Sequence, residues 1–158
     1  MTLGVVVLAA GQGTRMRSAL PKVLHPAAGI PLVEHVTRLA DAVGAASIVL
    51  VLSADILEPV RARLGERYQY VVQHERLGTG HAVQQARAAL AGRADEVLVL
   101  YGADPLMRLE SVQALIEARR TAQALAAITT FTAIPPTGYG RIVRDASQSI
   151  TALVEDRD

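Results

Sequence analysis

The 158-residue chain contains no cysteine and no tryptophan. Without thiols, neither a disulfide framework nor a thiolate metal site can form, which fits a reducing compartment. Aromatic residues are scarce, 3% against 51% hydrophobic overall. The core must therefore come from Val, Leu, Ile and Ala, which suits buried parallel strands covered by helices. An excess of one charge is also lacking: the formal net charge is +1, so nothing draws the chain to nucleic acid or a membrane surface. The N-terminal apolar run is short and no basic region precedes it, so neither a signal peptide nor a membrane span is expected. A cytoplasmic protein is the expectation. The length suits one domain with a sizeable core, and there are no internal repeats or low-complexity tracts.

Several common site patterns are missing too. His25, His35, His74 and His81 have no metal-ligand spacing, and His35 falls inside a helix, where packing or capping is its expected use. No Ser/His/Asp arrangement exists. Gly11-Gln12-Gly13 is followed by Met16 where a dinucleotide fingerprint needs a third glycine. That fingerprint also wants an acidic residue about 20 residues on, whereas the next strand ends near Asp55. No Gly-Lys-Ser/Thr follows either, which excludes a P-loop.

What is present begins with the first loop. Leu3 to Leu8 is β-branched and apolar on both faces, a buried parallel strand. It runs into Ala9-Ala10-Gly11-Gln12-Gly13-Thr14-Arg15-Met16, and Leu20-Pro21-Lys22 follows. Small residues and two glycines let backbone N–H groups approach a ligand. Arg15 and Lys22 can neutralise phosphate, one as a planar fork and one as a point charge. The loop reads as a nucleotide-phosphate site; a βα turn using glycine for geometry alone is the plainer reading.

Strands and helices alternate afterwards. Expected helices are Pro31 to Val43, Asp55 to Leu64, Thr79 to Leu90 and Arg108 to Ala122. Expected strands are Leu3 to Ala9, Ser47 to Leu52, Tyr68 to Val72, Glu96 to Leu100 and Ala124 to Thr132. After Pro135-Pro136, Arg141 to Arg144 and Ser149 to Glu155 read as a hairpin around Asp145 to Gln148. Four βα units in series imply an α/β, three-layer Rossmann-like fold with a mostly parallel sheet. Ligands in such sheets sit outside the carboxyl ends of the strands, which gathers four loops on one rim.

Of these, Gln73 to His81 offers an amide with both donor and acceptor, able to read a nucleobase edge. Its Gly78-Thr79-Gly80 precedes a helix whose free N–H groups favour an anion or base carbonyl; capping of that helix by Thr79 is the alternative. In Tyr101 to Leu106, Asp104 is a carboxylate at a strand end and a candidate Mg²⁺ ligand, unless Asp104-Pro105 simply starts the next helix. Thr137-Gly138-Tyr139-Gly140 either brings backbone N–H groups to a sugar or makes a tight connection into the hairpin.

These loops, in this order, resemble the sugar-phosphate nucleotidylyltransferases. The likeness is closest to the uridylyltransferase domain of the bifunctional N-acetylglucosamine-1-phosphate uridylyltransferase/glucosamine-1-phosphate acetyltransferases. It is carried by Leu8 to Met16, Leu20 to His25 with Gly29, Gln73, Leu77 to Ala82, Tyr101-Gly102, Thr137 to Ile142 and Val154-Glu155. The resemblance implies Mg²⁺-dependent transfer of UMP from UTP to N-acetylglucosamine 1-phosphate. The products would be UDP-N-acetylglucosamine, a cell-envelope precursor, and pyrophosphate. It places Leu8, Ala9, Ala10, Gly11 and Gly13 with Gln73, Gly78 and Thr79 around the nucleotide, and Arg15 and Lys22 on its phosphates. Tyr101 and Gly102 would line the site, with Gly140 and Glu155 on the sugar.

Two departures stand out. The family's metal-binding Asp position is Ala103 here, and the variable position after it is Asp104. The chain also stops at Asp158, so by this likeness residues 1–158 form an incomplete nucleotidyltransferase domain, truncated on its C-terminal side. The acetyltransferase β-helix, through which full-length relatives form homotrimers, is absent. Arg76 stands where a neutral polar residue is common. Competing readings are a nucleotide-sugar-binding module without turnover, a guanylyl- or cytidylyltransferase of the same fold, and, weakest, an NAD-dependent dehydrogenase.

Overall fold

The computed structural model describes residues 1–135 and 138–155. Pro136 and Thr137, which open the glycine-flanked tyrosine loop, lie outside the described residues. Two compact units emerge, Met1–Ala124 and Leu125–Asp158.

The first unit is built on β1 (Leu3–Leu8), whose residues from Leu3 to Val7 are buried on both faces. After a short pair, β2 (Pro26–Ala27) and β3 (Ile30–Pro31), come β4 (Ser47–Leu52), β5 (Gln69–Val72) and β6 (Glu96–Tyr101). The main sheet has the order β5-β4-β1-β6, and all its pairings are parallel. From β1 the chain steps outward through β4 to β5, then returns to lay β6 on the other side of β1. The order reverses between β1 and β6, where open α/β sheets place their ligands.

Helices cover both faces, as the three-layer expectation requires. Helix α1 (Leu32–Ala42) buries Val33, Val36, Thr37 and Ala40, the spacing of one helical face. It packs with α2 (Ala54–Leu64) through Ile56 and Val60, against Val5, Val7, Leu50 and Leu52. Val112 of α5 (Leu109–Thr121) joins the same cluster. On the opposite face, Ala82, Ala86 and Leu90 meet Val6, Val49 and Val51. Gly4 makes this approach possible: a Cβ there would lie 2.8 Å from Ala94 Cβ.

Several expectations need correcting. The single helix over 79–90 is two pieces, α3 (Thr79–Gln85) and α4 (Arg87–Leu90). At the join, Ala86 N–H bonds to Val83 O at 3.0 Å, a tighter i−3 bond, while the apolar face runs on unbroken. Thr79 is not the cap of α3; that place belongs to Gly78, with φ 92° and no side-chain cap bond. The helix expected from Asp55 begins one residue earlier, at Ala54, with Ser53 in the cap position. His35 has the structural use expected of it, though through a hydrogen bond rather than packing or capping: its Nε2 lies 2.9 Å from Ala27 O, tying β2 to α1.

The largest correction concerns Ala124 to Thr132, where no strand forms. Ala124 N–H bonds back to Arg119 O at 3.0 Å, closing the end of α5. Beyond it Leu125, Ile128 and Phe131 are exposed. Apolar and β-branched composition favours a strand only where a neighbour supplies the other half of the ladder. In the second unit, β7 (Arg141–Arg144) and β8 (Ile150–Val154) do form the expected antiparallel hairpin. Among the described residues no helix is long and apolar enough to cross a membrane.

Candidate active site

At the switch point the ends of β1 and β6 are held together. Gly102 N–H donates to Leu8 O, and on the other side of β1 Ala9 N–H donates to Val51 O of β4, both at 2.8 Å. Gly102 fits only because it lacks a side chain: a Cβ would lie 3.0 Å from Ala9 Cβ and 3.1 Å from Leu8 O. Beyond these bonds opens a cleft of about 540 Å³, a size typical of small-molecule sites.

Ten of the residues singled out in the sequence line this cleft. Leu8, Ala9, Ala10, Gly11 and Lys22 form one wall, Gln73, Gly78 and Thr79 another, and Tyr101 and Asp104 the third. Their gathering follows from topology, since each wall is the segment leaving β1, β5 or β6. Gly13 and Gly102 stand behind the walls. Gly13 adopts φ +63°, and Lys22 packs against its open face.

The cleft does not bring in every expected residue. Arg15 lies in the exposed 3₁₀ turn Thr14–Met16 and is not part of the wall. Gly140 and Glu155 belong to the second unit, where they face each other: a Cβ on Gly140 would sit 3.3 Å from Glu155 Oε2. Four lining residues carried no assigned role in the sequence: Val23, Arg76, Ala82 and Ala103. Val23 and Ala82 have no chemical signal to find. Arg76 and Ala103 were visible as departures from the family pattern.

Polar contacts fix the walls. Gln73 is buried, its Nε2 3.3 Å from Gly78 O and 3.0 Å from His81 Nδ1. Arg76 reaches across, donating from Nε to Ala10 O at 3.4 Å, with Nη2 3.7 Å from Asp55. The Ser53 hydroxyl on Asp55 holds that carboxyl below its usual range, and the Arg76 charge adds to the effect.

For a metal, the donor set is thin. Among the described residues no group of three or more His, Asp or Glu is arranged to hold one. A phosphate-borne Mg²⁺ needs only one or two protein carboxylates, and Asp104, exposed at the cleft, supplies one. Asp104 does not start the next helix; its N–H closes a turn onto Tyr101 O at 3.0 Å, and α5 begins at Leu109. Ala103, also at the cleft, packs against the core.

Comparison with known proteins agrees with this architecture. The model of the MobA-like NTP transferase domain matches residues 5–158. Among similar curated proteins is the bifunctional protein GlmU of Pseudomonas entomophila (strain L48), 51% identical over 100% of this chain and 34% of its own length. GlmU of Exiguobacterium sp. is 45% identical over 97% of this chain and 34% of its own. The chain thus spans about a third of the length of these relatives. Among solved structures, Rv0371c of Mycobacterium tuberculosis H37Rv superimposes with TM-score 0.65 at 22% identity, over 76% of this chain and 61% of that one. A nucleotidyl transferase from Methanothermobacter gives 0.62 at 22% identity, over 73% and 57%. These likenesses establish the fold, and the matched model together with the cleft at the β1/β6 switch point places the chain in the MobA-like NTP transferase domain family.

Proposed function

We propose that the cleft binds a uridine nucleotide and that the chain carries the uridylyl-transfer half of a GlmU-type activity. UMP would pass from UTP to N-acetylglucosamine 1-phosphate. The observation that carries this reading is the meeting of the first glycine loop, Lys22 and the Gln73–Thr79 segment in one cleft. High identity to GlmU proteins across the chain supports the choice of substrates.

In such a transfer, a phosphate oxygen of the sugar phosphate attacks the α-phosphorus of UTP. The new O–Pα bond forms as the bond to the bridging oxygen breaks, and pyrophosphate leaves with that electron pair. No protein nucleophile is required, so the residues act by positioning and by neutralising charge. Gln73, Gly78 and Thr79, with Leu8 to Gly11, hold the uridine. Lys22 places its ammonium on the phosphates, and Arg15 is the second proposed phosphate contact. Tyr101 and Gly102 shape the floor, and Gly140 and Glu155 are the proposed sugar contacts. Mg²⁺, when bound, supplies charge neutralisation on the phosphates, and Asp104 is the residue that would hold it.

The test is pyrophosphate release from UTP, N-acetylglucosamine 1-phosphate and Mg²⁺, compared with GTP and CTP. Uridine-dependent release supports the proposal; release with another base preferred overturns it. One observation favours a second reading, a nucleotide-sugar-binding module without turnover: Ala103, at the position where the family resemblance leads one to expect the metal-binding Asp, packs against the core. Tight UDP-N-acetylglucosamine binding with no pyrophosphate release would establish that reading instead.

A further inference from the structure

The glutamine at the base end of the cleft is itself held in place. Gln73 is only 5% exposed. Its Nε2 faces Gly78 O at 3.3 Å and His81 Nδ1 at 3.0 Å. An amide nitrogen has two hydrogens, so both are used inside the protein. Oε1 has no protein partner among the described residues and is not fully buried, on a residue that lines the cleft.

On the other side of the ring, Gln85 Nε2 lies 3.1 Å from His81 Nε2 and 3.2 Å from the His81 carbonyl. A neutral imidazole carries one N–H and one acceptor, so it cannot accept from both amides. Amide oxygen and nitrogen are nearly interchangeable in shape; one of the two glutamines must offer oxygen. Turning Gln73 over would place its oxygen 3.3 Å from Gly78 O, two acceptors in a buried position. Turning Gln85 over would likewise set its oxygen 3.2 Å from the His81 carbonyl, but Gln85 is half-buried on α3 and can swing off that carbonyl toward water, which the buried Gln73 cannot do. His81 Nδ1 is therefore the acceptor, and Nε2–H donates to Gln85.

We propose that His81 is a positioning residue that sets the base preference, because its Nδ1 and Gly78 O together hold Gln73 with Oε1 toward the ligand. The proposal rests on the uridine reading above. Uracil carries a hydrogen on N3 and donates it to such an acceptor. Cytosine has a lone pair at N3, which an amide oxygen repels. A glutamine free to turn over would offer its N–H to cytosine instead; His81 removes that option. His81 reaches the base only through Gln73.

The experiment is calorimetric titration of UTP and CTP into the wild-type chain, His81→Leu, His81→Asn, Gln73→Ala and the Gln73→Ala/His81→Leu pair. Loss of the ring acceptor is expected to narrow the UTP-over-CTP affinity ratio about tenfold. His81→Asn, whose Oδ1 stands near the former Nδ1, keeps most of the ratio. In the Gln73→Ala background His81→Leu changes the ratio no further. If His81→Leu proves unfolded, His81→Phe, closer in size to the ring, replaces it. An unchanged ratio in a folded variant overturns the proposal, as does an equal effect without Gln73, while uridine preference in the wild type still stands. Absence of uridine preference in the wild type overturns the uridine reading, and this inference with it.

Discussion

A Cβ placed on Gly13 would lie 2.5 Å from the Cβ of Lys22. The glycine, at φ +63°, is the surface on which the lysine stem rests. Its role is therefore indirect: it holds the cation in the cleft. Gly13→Ala combines a strained left-handed backbone with displacement of Lys22. We expect it to lower pyrophosphate release about as much as Lys22→Met, on the order of 10²-fold for a lost phosphate-stabilising group. Steady-state assays of both variants check this. Wild-type turnover in a folded Gly13→Ala chain would separate the two residues.

Asp104 is the carboxylate that reaches the cleft, and Ala103 beside it packs on the core. Asp104→Asn should raise the Mg²⁺ concentration needed for half-maximal rate by about tenfold or more, since a divalent ion on phosphates keeps few protein ligands. Ala103→Asp should lower it. A Mg²⁺ titration of the rate distinguishes this from a purely structural Asp104, which would leave the midpoint unmoved.

Glu96 opens β6 at the end opposite the cleft and is 8% exposed. It accepts bonds from Arg119 Nη2 at 2.8 Å and from the Arg120 guanidinium. Arg120's hydrogen bond, opposed by burial and reinforced by Arg119, holds the carboxyl below its ordinary value of 4.5. A lowered folded-state pKa means the stabilisation is complete above the unfolded value and is lost as pH falls through the folded one. Glu96→Gln should cost about 2 kcal/mol near neutral pH. Thermal melts across pH should show the gap to wild type steady down to about pH 5 and closing below it. A gap independent of pH would contradict the ion-pair account.

Gly102 tests whether the cleft depends on the close approach of β1 and β6. A methyl there meets Ala9 Cβ and the Leu8 carbonyl, so Gly102→Ala must spread the two strand ends. Overpacking of this kind costs about 1–3 kcal/mol. Nucleotide affinity should fall together with melting temperature. Retained affinity in a destabilised variant would show that the cleft tolerates the spread.

Much of this was legible in the sequence because the informative strands are apolar on both faces. β1 and β4 need no knowledge of their neighbours to be recognised, and the loop after β1 carries its glycines and cations openly. What was hidden depends on partners. Ala124 to Thr132 has strand-like composition without a paired neighbour. The break at Ala86 turns on one i−3 hydrogen bond within a continuous apolar face. Arg15 and Lys22 are both candidate phosphate cations in the sequence, yet of the two only Lys22 lines the cleft, packed beside Gly13. The capacity of His81 to orient Gln73 needs two side chains eight positions apart to meet, which spacing alone does not reveal.

The most direct test of the central claim is calorimetric binding of UTP, GTP, CTP and UDP-N-acetylglucosamine to the chain, with and without Mg²⁺. The lining residues proposed for the uridine lie in Met1–Ala124, so the measurement addresses the cleft itself. Selective binding of the two uridine nucleotides is the predicted result. A folded chain that binds none of the four, or that prefers guanine or cytosine, would contradict it.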